Sequence, residues 1–373
     1  MNSDIVRISD LSERELGAWG ELAEASVEPN PFVEPHFVLP AMHAWGGDDV
    51  GLLRVTNGAR WLAAVPVHNI TSWHGIPGRC LAAWRNPYCY LSNPLIAADD
   101  PDAVTTALLQ RGYRNAGCFV FDWAALDGPF GRALGQQRRL VELRAFERAA
   151  LYQENAENGE QPVGARSGQT LRRKRKQLER EGGEVRTGDR SGERAAYERF
   201  LEIEAAGWRG ASGTGTAMAC RPGHAAFFTE MCERFASLGR LRLPVLENDD
   251  RIFALKTDLV AGDVLYHFKA AFDEQFARFS PGLQLEIASM EAFRSEGWRM
   301  FDACTAPDNR SFNKLWPGKR RIVDLVVTGR DRVGTLDYAK WRTAATAGPP
   351  IRQQLRQLRA RRAPVAPDAP DDV

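Results

Sequence analysis

Apolar positions recur along the chain with two periods, and the switching between them sketches an architecture. Residues 12–26 place Leu16, Trp19 and Ala23 on one helical face, with Ser12 positioned to cap the first turn. The run Pro29-Asn30-Pro31-Phe32 breaks that helix, and a second is predicted over 35–45. Strands are predicted over 50–56 and 60–69, joined at Asn57-Gly58, a dipeptide suited to a tight hairpin. A short strand near Leu81, an aromatic and proline-rich loop over 84–94, a helix over 102–115 and strands over 118–123 and 140–146 complete the first half.

The second half reads more sharply. Helices are predicted over 193–206, carrying Tyr197, Phe200, Leu201 and Ala205, and over 225–238. Strands over 241–247, 252–260 and 264–272 follow, linked by Asn248-Asp249-Asp250 and Ala261-Gly262-Asp263. A helix over 281–296 opens on proline and is followed by Gly297. A strand over 300–304, a short helix over 309–316 and a strand over 322–327 come last. Antiparallel strands feeding a strand-to-helix crossover predict an α/β fold, with mixed sheets covered by helices on both faces.

Between the halves, residues 153–165 are polar and read as a linker. Arg166, Arg172, Arg173, Lys174, Arg175, Lys176 and Arg180 then crowd a helix whose thin apolar seam is Leu171 and Leu178. We read that helix as a solvated structural element in preference to a nucleic-acid site. The expected domains are 1–152 and 166–345. Beyond them, 346–373 is expected to hold a basic helix around Ile351, Leu355 and Leu358, and a disordered Pro/Asp tail.

Composition narrows the classes. A chain of 373 residues accommodates two domains. Lys plus Arg number 49 against 48 Asp plus Glu, so the net charge of +1 speaks against a globally basic nucleic-acid binder. No uninterrupted apolar run of about 18 residues exists, so no membrane span is expected. No leader pattern opens the chain, and a cytoplasmic protein is expected. The cysteines 80, 89, 118, 220, 232 and 304 contain no Cys-x-x-Cys pair. They are expected to be reduced and buried, with no metal site.

Candidate chemistry concentrates in the second half. Strict alternation along 264–273 would put His267, Lys269 and Asp273 on one face, a polar cleft floor, and Tyr266, Phe268 and Phe272 on the other. The loop that follows, with Arg278, Ser280 and Gly282, opens a helix whose free N–H groups suit an anion, or are merely capped by Ser280. Glu204 lies on the apolar stripe of its helix, with Trp208 one turn on; either desolvation raises its pKa and suits it as a general base, or it sits at the edge of the stripe and hydrogen-bonds a backbone group. Asp302 and Cys304 share a strand face, and Asp302 and Asp273 are expected near Lys269. Lys314 and Trp316 either bound the cleft or tie down the last strand.

The ordered series Phe200-Leu-Glu-Ile-Glu-Ala-Ala-Gly-Trp-Arg-Gly210, Leu265-Tyr-His-Phe-Lys-Ala-Ala-Phe-Asp-Glu274, Phe279-Ser-Pro-Gly-Leu283, Phe301-Asp302 and Lys314-Leu-Trp316 resembles CelD/BcsL-like acetyltransferases of the GNAT superfamily. So does the basic stretch Leu171–Leu178. Asn30-Pro-Phe32 and Trp84-Arg-Asn-Pro-Tyr88 extend the likeness loosely into the first half. The resemblance implies two GNAT-like domains, arranged as in Fem peptidyl transferases. It also implies acyl transfer from acetyl-CoA, without a metal, to an amine or hydroxyl on a small molecule or saccharide, in cellulose or exopolysaccharide production. It implies CoA on the segment holding Arg278, Ser280, Gly282, Leu283 and Gln284. Substrate would meet Trp208, Arg209, His267, Asp273, Lys314 and Trp316, with Arg209 standing where family members often carry Lys. Glu204 would be the proton acceptor, Lys269 the orienting cation and Asp302 the alternative acceptor. Two other readings are carried: an aminoacyl-tRNA-dependent Fem-like transferase, and a non-catalytic subunit of polysaccharide machinery.

Overall fold

The computed structural model describes residues 1–154, 165–306 and 309–346. Most of the expected linker, and the expected C-terminal helix and tail, lie outside the described residues. The elements in chain order are β1 (Asn2–Arg7), α1 (Glu13–Ala25), α2 (Pro35–Trp45), β2 (Gly51–Asn57), β3 (Arg60–Trp73), β4 (Ile76–Ala83) and β5 (Leu95–Ile96). Then come α3 (Pro101–Ala116), β6 (Cys118–Ala125), α4 (Pro129–Gly135), β7 (Leu140–Tyr152), α5 (Ala165–Gly182) and β8 (Arg186–Asp189). They continue through α6 (Arg194–Ala206), α7 (His224–Ser237), β9 (Leu241–Arg242), β10 (Pro244–Glu247), β11 (Ile252–Ala261) and β12 (Val264–Phe272). The series ends with α8 (Pro281–Glu296), β13 (Met300–Asp302), α9 (Arg310–Leu315), β14 (Gly318–Thr328) and α10 (Arg332–Thr346).

The chain folds as two compact units. Unit 1 takes residues 1–38 and 47–147, and the described chain from 320; unit 2 takes 39–46 and 148–319. In unit 1 the strand order is β1-β2-β3-β4-β6-β14-β7. The first four are antiparallel neighbours, whereas β4 and β6 run parallel with α3 as the crossover between them. Unit 2 repeats the scheme. Its order is β7-β13-β12-β11-β10-β8, with antiparallel β10, β11 and β12, then α8 crossing to β13, which runs parallel to β12. The strands β7 and β14 each contribute residues to both units.

Local chemistry explains the ends. The backbone N–H and hydroxyl of Ser12 both bond Glu15 Oε2, at 3.0 and 2.7 Å, and Glu15 Oε1 accepts from Arg54 at 2.8 Å. Those bonds hold the Glu15 carboxyl at about 2, well below the usual carboxylate range. In unit 1, Trp19, Phe32, Phe37, Phe119, Phe121 and Phe130 are fully buried. Beneath them, buried Glu28 accepts from Asn93 and from the Phe130 N–H, and burial pushes its pKa up. In unit 2, Phe200, Phe227, Tyr266 and Trp316 fill the interior.

Several elements are absent from the sequence reading. β1 and β8 end the strand orders, and every residue of β8 is exposed, so neither shows a clear apolar alternation. α10 buries one large side chain fully, Trp341, against Trp73. The cysteines need correction. Cys80 on β4 and Cys118 on β6 form a disulfide, because the parallel register that sets Leu81 opposite Phe119 brings the preceding residues together. Cys220 is exposed, not buried.

A close approach in α3 yields a test. A Cβ on Gly112 would collide with the ring of Phe119, itself fully buried and 4.3 Å from the ring of Phe121. Helix propensity alone favours Gly112→Ala by about 1 kcal/mol. Overpacking opposes it by about 1–3 kcal/mol. The variant is expected to be less stable than the parent in urea denaturation; a gain in stability would show that the ring yields freely.

Candidate active site

One irregularity in β12 organises unit 2. Thr257 lies opposite Lys269, but its neighbour Asp258 lies opposite His267, so Phe268 is an extra residue in the strand. The expected shared face of His267 and Lys269 therefore does not exist. Strict alternation fails at the bulge, and the two side chains serve opposite faces. On one face, Lys269 Nζ reaches Glu204 Oε1 of α6 at 2.6 Å, and Phe268 stacks on Phe228 of α7. On the other, His267 Nδ1 meets Asp258 at 2.9 Å, and its ring lies 5.2 Å from that of Phe312 on α9. Lys256, on the same strand face as Asp258, donates to Glu286 of α8 at 2.9 Å and lies 4.7 Å from the centre of the Phe301 ring. Burial opposes the charge on Lys256, but Asp258 and Glu286 outweigh it and raise its pKa. This second cluster is buried and internally compensated, as a structural charge network must be.

The Glu204–Lys269 face has a different character. The side chain of Glu204 is 1% exposed and that of Lys269 16%. Glu204 hydrogen-bonds a backbone group, one of the two settings expected for it: one oxygen takes Lys269 and the other accepts the Met218 N–H at 2.8 Å. Burial lowers the pKa of Lys269 against the pull of Glu204, with Arg209 and Arg221 adding repulsion. His224, the first residue of α7, joins this face without having been a sequence candidate. Its ring lies edge-on to Trp45 at 5.0 Å. Burial, then repulsion from Arg221 and Lys269, lowers its pKa, and Glu204 pulls the other way. No periodic pattern marks His224. It follows Gly223, whose φ of +80° turns the chain into α7 close to the carbonyl of Ala44. Beside this cluster the Trp208 N–H donates to Glu274 at 2.6 Å, and the Arg209 guanidinium lies 4.5 Å from the centre of the Trp208 ring.

The start of α8 forms the other edge. Asp273 accepts the Gln275 N–H and so caps the short turn 274–279; it does not extend the floor set by β12. Ser280 takes a left-handed φ of +55°, and its hydroxyl accepts from Lys174 of α5 at 2.8 Å. The expected side-chain cap by Ser280 is therefore replaced by a contact with the basic helix. Arg278 pairs with Glu181 of the same helix. Gln284 donates through its side chain to the Phe279 carbonyl, and Leu283 is exposed. A Cβ on Gly282 would make only an ordinary 3.6 Å contact with Phe272, so nothing among the described residues demands glycine there. Leu178, on the seam of α5, is fully buried among Phe253, Phe279 and Leu285, while Arg172, Arg173, Lys176 and Arg180 face solvent.

Asp302 is corrected as well. It lies in the interior, fully buried, where Arg148 Nη2 donates to it at 2.6 Å and the Cys304 N–H at 2.9 Å. Trp316 is a core residue, 4.7 Å from Phe301. The side chain of Lys314 lies outside the described residues.

Residues 165–310 match the family model for the acetyltransferase (GNAT) domain. No curated protein matches the sequence. Among solved structures the chain is similar to FemX, with a TM-score of 0.54 at 10% identity over 91% of this chain and 100% of that one. It is similar to a conserved protein of unknown function from Bacteroides thetaiotaomicron VPI-5482, with a TM-score of 0.53 at 12% identity, over 86% and 98% of the two chains. The fold is thus a GNAT-like mixed α/β fold of two-domain architecture.

Removing one partner of a fully buried ion pair costs about 3–5 kcal/mol. Asp302→Asn is therefore expected to shift the urea midpoint of unfolding strongly downward. Unchanged stability would place Asp302 outside the structural role that its bonds to Arg148 and Cys304 describe.

Proposed function

We propose that unit 2 is a GNAT-type acyltransferase that moves an acyl group, acetyl in the first instance, from a CoA thioester to an amine or hydroxyl. The observation that carries this reading is the contact of Lys174 with Ser280. It stations a cationic helix at the N-terminus of α8, where backbone N–H groups already favour a phosphate. The match to an acetyltransferase domain over 165–310 spans α5, α8 and β12 together. In this reading Lys174, Arg278, Ser280, Gly282, Leu283 and Gln284 form the cofactor edge. The space that a Cβ on Gly282 would fill is left for a pyrophosphate.

Acyl transfer needs a neutral nucleophile and an acceptor for its proton. The acceptor N–H or O–H loses its proton to the base, the new N–C or O–C bond forms, and the thioester C–S bond breaks to release CoA as a thiolate, which becomes the thiol by taking up that proton or one from solvent. Glu204 is the proposed proton acceptor. Lys269 and the Met218 N–H each use one lone pair on its two oxygens, so both oxygens keep capacity. Lys269 holds and orients the carboxylate, and Trp208 and Arg209 border the acceptor side. The CelD/BcsL-like residue series supports a saccharide acceptor in polysaccharide production. The exposed row Arg172, Arg173, Lys176 and Arg180 favours a second reading, in which the donor is an aminoacyl-tRNA.

Titration of the full chain with CoA by calorimetry should show binding that weakens at least tenfold when Lys174 becomes Ala. Retention of tRNA at about 0.15 M salt, with no CoA binding, would move the donor to the second reading. In turnover with acetyl-CoA, Glu204→Gln is expected to cost about 10²–10⁴-fold in kcat. Near-normal turnover in that variant would remove Glu204 as the base.

A further inference from the structure

Unit 1 holds a side-chain cluster that the proposed transferase does not use. His74 sits in the turn between β3 and β4, Asp122 on β6 and Asp324 on β14. His74 Nε2 lies 3.1 Å from Asp122 Oδ1 and 3.3 Å from Asp324 Oδ2. One donor atom from each of the three residues falls within 4.8 Å of the others. We propose that His74, Asp122 and Asp324 bind a divalent transition-metal ion of the Zn²⁺ class.

Ligand spacing is the first argument. An ion with metal–ligand bonds of about 2.0–2.1 Å in tetrahedral geometry spaces its ligands about 3.3 Å apart. The imidazole nitrogen already stands at that separation from one oxygen of each carboxylate. The donor set of one imidazole and two carboxylates suits a borderline ion better than Ca²⁺, which prefers six or more oxygens.

Orientation is the second. Asp324 offers Oδ2 because its Oδ1 accepts the Trp123 N–H at 2.9 Å, at the irregularity where β6 and β14 lose register. Asp122 is held by the indole N–H of Trp73 at 3.1 Å. Metal-ligating carboxylates are ordinarily fixed by such outer bonds.

Charge is the third. The Asp324 side chain is 1% exposed and those of Asp122 and His74 are 28% exposed. Two carboxylates share one imidazole in a half-buried place, and the Arg85 guanidinium acts on Asp122 from one side only; a divalent ion bound between them would contact both carboxylates at once. Three protein ligands leave a fourth position on the solvent side for water. The competing arrangement is a proton in place of the metal. Burial opposes that imidazolium, yet its bonds to Asp122 and Asp324 outweigh burial and push the His74 pKa up to about 9.

The test uses the full chain without an affinity tag, freed of metal with a chelator and dialysed against Zn²⁺, with bound metal measured directly. Uptake of one Zn²⁺ per chain is expected, with a thermal midpoint that rises as Zn²⁺ is added. His74→Asn is the cleaner variant, because Asn tolerates the left-handed φ of +47° that His74 adopts. It and Asp324→Asn should each weaken binding at least tenfold and abolish the Zn²⁺-dependent rise. If Asp324→Asn does not fold, His74→Asn alone decides. No stoichiometric uptake by the parent would overturn the proposal in favour of the proton-held triad. Equal uptake by parent and His74→Asn would overturn it in favour of a site elsewhere, such as one involving exposed Cys220.

Discussion

The extra residue in β12 is the constraint on which unit 2 depends. Without it, His267 and Lys269 would share a face, and two sets of charges would compete for one side of the sheet. With it, Lys256, Asp258, His267 and Glu286 close a buried network on the side of α8, and Glu204 and Lys269 meet on the side of α6 and α7. Burying unlike charges is tolerable only when each set is compensated locally. The bulge performs that sorting with one residue.

The two buried sets are not equivalent. Lys256 is fully enclosed between two carboxylates and an aromatic face, which makes it a fixed structural cation. Lys269 keeps partial access to solvent, has one carboxylate partner at short range and feels two arginines; its pKa falls while that of Lys256 rises. The same residue type thus takes opposite roles according to the balance of desolvation and charge. Accessible groups with displaced proton affinity are the ones able to exchange protons with a ligand.

Much of this was legible in the sequence. The helix from Ser12, the hairpin at Asn57-Gly58 and the segment from β11 to β13 all carry strong periodic or turn signals, and they position the GNAT-like fold. Glu204 and Lys269 were each singled out by local pattern, and the structure brings them into contact. Illegible were features that pairing alone decides. A one-residue bulge leaves no mark in an alternating sequence. Cys80 and Cys118 become neighbours only through a parallel register, and Asp302 meets Arg148 only through the pairing of β13 with β7. His74 carries no local signal, because Asp122 and Asp324 lie far along the chain.

The division of β7 and β14 between the units has a consequence for biosynthesis. Unit 1 draws on both ends of the described chain, whereas unit 2, apart from residues 39–46, is one continuous run. As the chain leaves the ribosome, β6 emerges without the partner that Ile322–Thr328 will give it on one side. All of unit 2 is translated first. During that interval Val120 and Phe121 lie on an unpaired strand edge, the kind of surface that chaperones shield and that seeds aggregation when synthesis outruns folding.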